Sequence, residues 1–249
     1  MSWEWEIIWQ YLPKLLDGAW LTLELIALSG LFGMLLALPI ALMRASKNAW
    51  LRAIPFAYIF FFRGTPLLVQ IFLIYYGASQ FEVIKESFLW PILKQPYWCA
   101  IIAFSLNTAA YSAELLRGAI QSIPKGEVEV CEALGMSKPL MIRRVVLPRA
   151  FGIVLPAYGN ELLLMLKSSA LASTITLLDI TGMARTIIAR TYTPMEMFFA
   201  AGMVYLVIAA LMIATFRFIE FRLNRYQYYH HTPLPKTLDP QLRDEHLDT

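Results

Sequence analysis

Five long apolar segments, separated by short polar loops, dominate the pattern of this chain. Spans 1 to 5 cover roughly residues 18–43, 54–76, 97–116, 150–167 and 197–216. Each approaches the ~20 apolar residues that a helix needs to cross a bilayer. The pattern predicts an all-α membrane protein with about five transmembrane helices. The stretch 174–193 is only mildly apolar and carries Asp179, Arg185 and Arg190, so we place it outside the bilayer or at its surface.

The composition supports a membrane protein over a soluble one. Hydrophobic residues make up 58% of the chain and charged residues 16%, whereas an average soluble domain is about a quarter charged. The mean hydropathy is +0.55. A chain of 249 residues has room for one domain of about five spans and for no second, soluble enzyme.

Basic residues are concentrated in alternate loops, and this distribution predicts the orientation. Short cytoplasmic loops carry an excess of Lys and Arg. The loops after spans 1 and 3 and the start of the C-terminal tail are the richer ones. Their basic residues are Arg44, Lys47, Arg52, Arg117, Lys125, Lys138, Arg143, Arg144, Arg149, Arg217, Arg222 and Arg225. We therefore expect the N-terminus outside and the C-terminus in the cytoplasm.

The two ends of the chain are predicted to lie outside the membrane domain. Residues 1–17 lack the basic region and cleavage site of a signal peptide, and their tryptophans suit a membrane interface. The tail 226–249 is polar and proline-containing, so we expect it to be disordered in the cytosol. Cys99 and Cys131 fall on opposite sides of the membrane in this topology, which argues against a disulfide. No cluster indicates a metal site.

The loop between spans 3 and 4 contains a short predicted helix. Pro124 followed by Lys125 suits a helix start, and Gly135 ends the helix or permits a close backbone approach. Its predicted apolar side consists of Val128, Cys131, Ala133 and Leu134. Its predicted solvated side consists of Glu127, Glu129 and Glu132. From the residues alone, a solvated hairpin without a partner explains this loop equally well.

The spacing within this loop resembles the EAA loop of ABC importer permeases. Glu129 is followed by Gly135 and then by Leu147-Pro148, while Val130 and Cys131 stand where the family has alanines. The resemblance implies a cytoplasmic coupling helix, within residues 125–148, that docks into an ATPase subunit. The ATPase-coupling residues that it implies are Glu129, Ala133, Leu134, Gly135, Leu147 and Pro148.

A wider resemblance covers roughly residues 15–225. The segments 62–70, 106–111, 158–161 and 167–172 are similar to the polar amino acid subfamily of these permeases. The similarity is greatest to permeases for arginine, for histidine, lysine and ornithine, and for octopine and nopaline. It implies a type I ABC importer permease fold over residues 18–225 in a bacterial inner membrane. The implied partners are an ATPase dimer, a second homologous permease and a periplasmic amino-acid-binding protein.

Four polar residues at predicted membrane depth are candidates for substrate binding. Polar groups inside spans are costly and usually face a bundle interior or a cavity. We expect Glu161 to contact a basic side chain, and Asn160 and Asn107 to orient the backbone groups of the substrate. Gln70 lies four residues after Pro66 and could line the same path. A polar clamp between helices remains the alternative for Asn107 and for Glu161.

Two further features in the spans have structural interpretations. The sequence Arg63-Gly64-Thr65-Pro66 interrupts span 2 and predicts a bend, because Gly and Pro free backbone groups that a cavity or neighbour must satisfy. The bend either lines the transport path or is a packing kink. Glu114 and Arg117 share a helix face, which favours a structural ion pair.

The chain contains no phosphate-binding loop of the Gly-x4-Gly-Lys-Ser/Thr type and no catalytic constellation. We therefore expect it to bind no cofactor, with ATP and Mg²⁺ on the partner ATPase, and to have no nucleic-acid partner. The sequence predicts a permease subunit that imports a polar, basic amino acid such as arginine. The alternatives are a secondary transporter driven by an ion gradient and an integral-membrane enzyme.

Overall fold

The computed structural model describes residues 3–46 and 48–224, and all regular structure within these ranges is helical. The predicted cytosolic tail, 226–249, lies outside the described residues. The helices are α1 (Trp5–Arg44), α2 (Ala49–Gly64), α3 (Leu67–Phe72), α4 (Glu82–Lys85), α5 (Trp90–Leu93), α6 (Pro96–Gln121), α7 (Lys125–Ala133), α8 (Lys138–Met141), α9 (Leu147–Ser168), α10 (Ile180–Thr191) and α11 (Pro194–Asn224). Turns of π-helix follow α3 and α8, and a 3₁₀ turn follows α9.

Three helices of the described part are individually long and apolar enough to cross a membrane, namely α1, α6 and α11. Two further candidates are bent pairs. Helix α2 meets the segment that begins with α3 at 106°, and the helical run 138–175 meets α10 at 48°. If each bent pair forms one span, the total is five, which agrees with the number that the sequence predicts.

Helix α1 extends beyond the predicted span 1 at its N-terminal end. It starts at Trp5 and continues through Pro13 without a break, so the predicted segment 1–17 is largely part of this helix. The reason is packing. Leu15 is fully buried in a cluster with residues of α10 and α11, and Ile8 and Leu12 pack against the same cluster.

The core of the described residues consists of four apolar clusters, and α1 contributes to three of them. Small residues allow the helices to approach closely. A Cβ on Gly33 would lie 2.9 Å from the Thr108 side chain of α6, and a Cβ on Gly18 would lie 2.9 Å from the Asp179 carbonyl oxygen. Cys99 and Cys131 are both free and buried, which confirms that they form no disulfide with each other.

The stretch 174–193 forms a packed helix rather than an irregular surface segment. Asp179 is fully buried and caps α10, because its carboxylate accepts hydrogen bonds from the backbone N–H groups of Thr181 and Gly182. One face of α10 packs against α1 and α11, while Arg185 and Arg190 are exposed on the other. Its position outside the bilayer or at the surface stays a prediction.

Candidate functional site

Span 2 is broken at the predicted position. Helix α2 ends at Gly64 and α3 begins at Leu67, with Pro66 between them. The break leaves carbonyl groups that cannot complete a helical ladder. The Gln70 side-chain amide donates to the Phe62 carbonyl oxygen at 2.9 Å and to the Thr65 carbonyl oxygen at 3.1 Å. The predicted bend is therefore confirmed, and Gln70 stabilises it.

Asn107 attaches α6 to this break. Its Nδ2 atom donates to Gln70 Oε1 at 3.0 Å and to the Phe62 carbonyl oxygen at 3.3 Å. Gln70 is 2% exposed and does not line the cavity described next. Hydrogen bonds within the protein engage both ends of the Gln70 amide, and its predicted place on the substrate path stays a prediction.

A cavity of about 340 Å³ lies beside the break, between α3, α6 and α9. Glu161 of α9 and Asn107 of α6 both line it, and their predicted contacts with a substrate stay a prediction. The Glu161 carboxylate is partly buried and forms none of the salt bridges found among residues 3–46 and 48–224. The other polar residues of the lining are Thr65, Thr108, Tyr111 and Ser168.

Asn160 does not belong to this cavity. It is exposed on α9 and is not part of the lining. Adjacent residues of an α-helix point about 100° apart, so Asn160 and Glu161 cannot both face the same small cavity. The structure therefore places Asn160 outside the cavity that Glu161 lines, and its predicted contact with a substrate stays a prediction.

The sequence prediction missed the hydroxyl-bearing residues that line the cavity, although their spacing along the helices indicates two of them. Tyr111 lies four residues after Asn107 on α6, and Ser168 lies seven residues after Glu161 on α9. Residues at these separations share a helix face. A search along the two helices from the predicted residues would therefore have found both.

A second cleft, of about 400 Å³, lies on the other side of Tyr111. The Arg63 guanidinium sits 5.1 Å from the centre of the Tyr111 ring. Glu114 pairs with Arg117 at 2.7 Å and with Arg44 at 3.5 Å. The predicted Glu114–Arg117 ion pair is therefore present, and Arg44 extends it from α6 to the end of α1.

The predicted coupling helix is α7, and its outer surface is accessible. Val128 and Cys131 point inward, where they pack with Met141 and Val146. Glu129, Ala133 and Leu134 are exposed, so the apolar side predicted for the helix is divided between its inner and outer faces. Val130 and Leu134 are 59% and 75% exposed and add apolar surface to the outer side of the loop.

The remaining coupling residues lie at the ends of the loop. Gly135 has a φ of +74°, a left-handed conformation that glycine adopts without strain. Its N–H donates to the Glu132 carbonyl oxygen at 2.9 Å, which closes the end of α7. Leu147 and Pro148 lie where the π-helical turn Ile142–Val146 passes directly into α9, and Pro148 supplies no backbone N–H to this continuous helical run.

The sequence predicted that Glu127 is solvated, but in the structure its carboxylate pairs with Arg149. The Arg149 guanidinium donates from Nη2 to Glu127 Oε1 at 2.8 Å and from Nε to Oε2 at 3.3 Å. These hydrogen bonds lower the pKa of the Glu127 carboxyl and raise that of Arg149. The contact joins the first turn of α7 to the first turn of α9.

The chain is similar to known transport proteins over most of its length. The model of the family described as binding-protein-dependent transport system inner membrane component matches residues 29–225. The chain is 49% identical over 216 residues to the octopine transport system permease protein OccM of Rhizobium meliloti, a match that covers 87% of this chain and 88% of that protein. It is 44% identical over 214 residues to the arginine ABC transporter permease protein ArtM of Escherichia coli K12, a match covering 86% and 96%.

A solved structure shows the same similarity in three dimensions. The crystal structure of an amino acid ABC transporter with histidines matches with a TM-score of 0.78 and 33% sequence identity. That match covers 89% of this chain and 100% of the other. The fold is therefore that of a type I ABC importer permease.

Proposed function

Because the chain belongs to the family of binding-protein-dependent transport system inner membrane components, we propose that it imports a basic amino acid through the cavity at Glu161. The chain is a membrane subunit of an ATP-driven amino acid importer, and the ATPase is a separate subunit. This membership excludes the ion-gradient-driven transporter and the membrane enzyme that the sequence left open.

The observation that carries the substrate proposal is the Glu161 carboxylate, partly buried in a cavity and without a salt bridge among the described residues. A carboxylate at membrane depth is costly unless a cation or hydrogen bonds compensate it. A guanidinium or ammonium group on the substrate supplies that compensation through a charge-assisted hydrogen bond. Two relatives are named for octopine and arginine, and both of these compounds carry a guanidinium group.

Asn107 is suited to a second contact in the same cavity. Its Nδ2 atom is engaged with Gln70 and Phe62, which fixes the orientation of the amide. Its carbonyl oxygen then remains to accept a hydrogen bond from the α-ammonium group of the substrate. Thr108 and Ser168 line the same cavity and offer hydroxyl donors for the α-carboxylate.

We propose that the importer couples to ATP through the exposed surface of α7. A periplasmic binding protein delivers the substrate, and an ATPase dimer holding ATP and Mg²⁺ docks on Glu129, Ala133, Leu134 and the neighbouring Gly135, Leu147 and Pro148. A second permease, identical or homologous, completes the pore. In this arrangement the N-terminus lies outside and the C-terminus in the cytoplasm. ATP binding shifts the population between outward-facing and inward-facing states.

The test is arginine uptake by proteoliposomes that contain the complete complex. Glu161→Gln keeps the shape of the side chain and removes its charge. We expect uptake at low arginine concentration to fall about 10- to 100-fold, because the substitution removes one charge-assisted hydrogen bond to the substrate. Basal ATP hydrolysis should not change.

Glu82→Gln is the control, because Glu82 is an exposed residue of α4 that does not line the cavity. Arginine uptake that Glu161→Gln leaves unchanged would overturn the substrate site. Uptake that persists without the ATPase subunits would contradict the proposed mode of transport.

A further inference from the structure

The contact between Glu127 and Arg149 is the polar link between the coupling helix and span 4. Both hydrogen bonds of the guanidinium go to the same carboxylate, at 2.8 and 3.3 Å. A bidentate pair of this kind fixes the relative orientation of its two side chains, which a single point contact does not. The two residues are 22 apart in sequence, so they join separate helices.

Within residues 3–46 and 48–224, the other side-chain contacts that hold α7 against the protein are apolar. Val128 and Cys131 rest on a small cluster that includes Ile123, Met141 and Val146. Apolar burial is non-directional, so this cluster holds α7 against the protein, whereas the ion pair adds a directional contact. The ion pair is partly solvent-exposed, and exposed pairs contribute little to stability. Its effect is therefore on geometry rather than on stability.

Arg149 lies on the helix that also carries Glu161. The two residues are 12 apart on α9, which corresponds to about 18 Å along the helix axis. Between them, Ala150 and Val154 are buried against α1, α2 and α6. A displacement of the first turn of α9 would therefore be passed along this packed helix towards the cavity, through Pro156, where one backbone hydrogen bond is absent.

We propose that the Glu127–Arg149 ion pair is a positioning device that makes α7 and the first turn of α9 move as one body. It transmits a displacement of α7 to the helix that bears Glu161. This inference rests on the proposed function, since it assumes that an ATPase moves α7. Glu127 and Arg149 are positioning residues, which act on the substrate site through α9.

The experiment measures arginine transported per ATP hydrolysed by the complete complex in proteoliposomes. The variants are Glu127→Gln, Arg149→Gln and the charge-swapped double variant Glu127→Arg/Arg149→Glu. Arg143→Gln is the matched control, because Arg143 is an exposed arginine of the same loop that forms no salt bridge within the described residues. Co-purification of the ATPase with each variant reports assembly.

We expect both single variants to retain the ATPase and to hydrolyse ATP, with transport per ATP reduced about fivefold or more. The charge-swapped variant should recover at least half of the loss, and Arg143→Gln should behave as wild type. The charge-swapped variant can recover transport per ATP only if the two residues contact each other directly.

Two results would overturn the inference. One is unchanged transport per ATP in both single variants. The other is loss of the ATPase from the single variants without recovery in the swap, which would mean that each residue contacts the ATPase directly. If the wild-type complex shows no ATP-driven arginine uptake, the proposed function is wrong. This failure can be told apart from a failure of the ion-pair inference, because it is seen in wild type without any substitution.

Discussion

At the scale of single residues, Gly135 has the most demanding backbone conformation in the coupling loop. Its φ is +74°, and a Cβ added there would meet no other atom within 4 Å. The cost of Gly135→Ala is therefore conformational and should be about 1 kcal/mol. We expect a lower melting temperature of the detergent-solubilised complex and weaker coupling of ATP hydrolysis to transport.

Gly126→Ala is the matched control for this prediction. Gly126 lies in α7 and also has no atom within 4 Å of an added Cβ, but its φ is not positive. Alanine should be neutral or stabilise the helix by up to ~1 kcal/mol. Equal effects of the two substitutions would show that the left-handed turn is unimportant.

The sequence identified which residues are polar at membrane depth, but it did not separate their roles. Asn107 and Glu161 do line one cavity, whereas the groups of Gln70 are used within the protein. The difference depends on the 106° bend, which brings Gln70 back to the Phe62 carbonyl oxygen. A bend is predictable from Gly64 and Pro66, but its angle is not, because the packing of neighbouring helices sets it.

At the scale of elements, the broken span 2 depends on the amide pair Asn107–Gln70. Asn107→Ala removes the partner of Gln70 Oε1 and should destabilise the protein by about 1–3 kcal/mol. Thermal unfolding in detergent measures the effect. Gln70→Ala combined with Asn107→Ala should cost less than the sum of the two single changes, since they share one network.

Ser105→Ala is a suitable control for the Asn107 substitution. Ser105 is 4% exposed on the same helix, and its hydroxyl has no hydrogen-bond partner in the part of the chain that the structure describes. Its removal leaves no group unsatisfied, so the melting temperature should stay within about 2 °C of wild type. If Asn107→Ala is as mild as Ser105→Ala, the amide pair does not hold the break together.

The packing of α9 on α11 depends on a close approach at Gly159. A Cβ there would lie 2.8 Å from Cγ of Phe216, so Gly159→Ala must displace an aromatic ring at a cost of about 1–3 kcal/mol. Gly152→Ala, on the same helix, meets nothing within 4 Å and should be neutral. A melting temperature that both substitutions leave unchanged would contradict this close contact.

The helices themselves were largely predictable, because long apolar runs encode them. The structural bounds of α6, α9 and α11 enclose the predicted spans 3, 4 and 5. Helix α10 was harder to recognise, since Asp179, Arg185 and Arg190 lower its hydropathy. The cost of burying the Asp179 carboxylate is offset because it caps α10 and accepts a hydrogen bond from the hydroxyl of Tyr205, 26 residues away.

At the scale of the whole molecule, the orientation in the membrane is a prediction from the basic loops. Cys99 and Cys131 are buried, so the background of thiol labelling should be low. Phe88→Cys introduces a thiol at a position that is 86% exposed, in the loop predicted to be outside. Glu132→Cys introduces one on α7, predicted to be cytoplasmic.

A membrane-impermeant maleimide added to intact spheroplasts should label Phe88→Cys and not Glu132→Cys. Lysis should then expose Glu132→Cys. The reverse labelling pattern would place the coupling helix on the outer side and would be incompatible with docking of an ATPase there.

The most direct test of the proposed function is ATP hydrolysis by the reconstituted complex. The arginine-loaded binding protein should stimulate this hydrolysis. We compare wild type with Glu161→Gln and with Glu129→Lys, which reverses a charge on the exposed face of α7. We expect Glu161→Gln to keep basal hydrolysis but to lose stimulation by arginine, and Glu129→Lys to uncouple or release the ATPase. Wild-type behaviour of both variants would contradict the proposed function, because neither the cavity nor the coupling helix would then act as proposed.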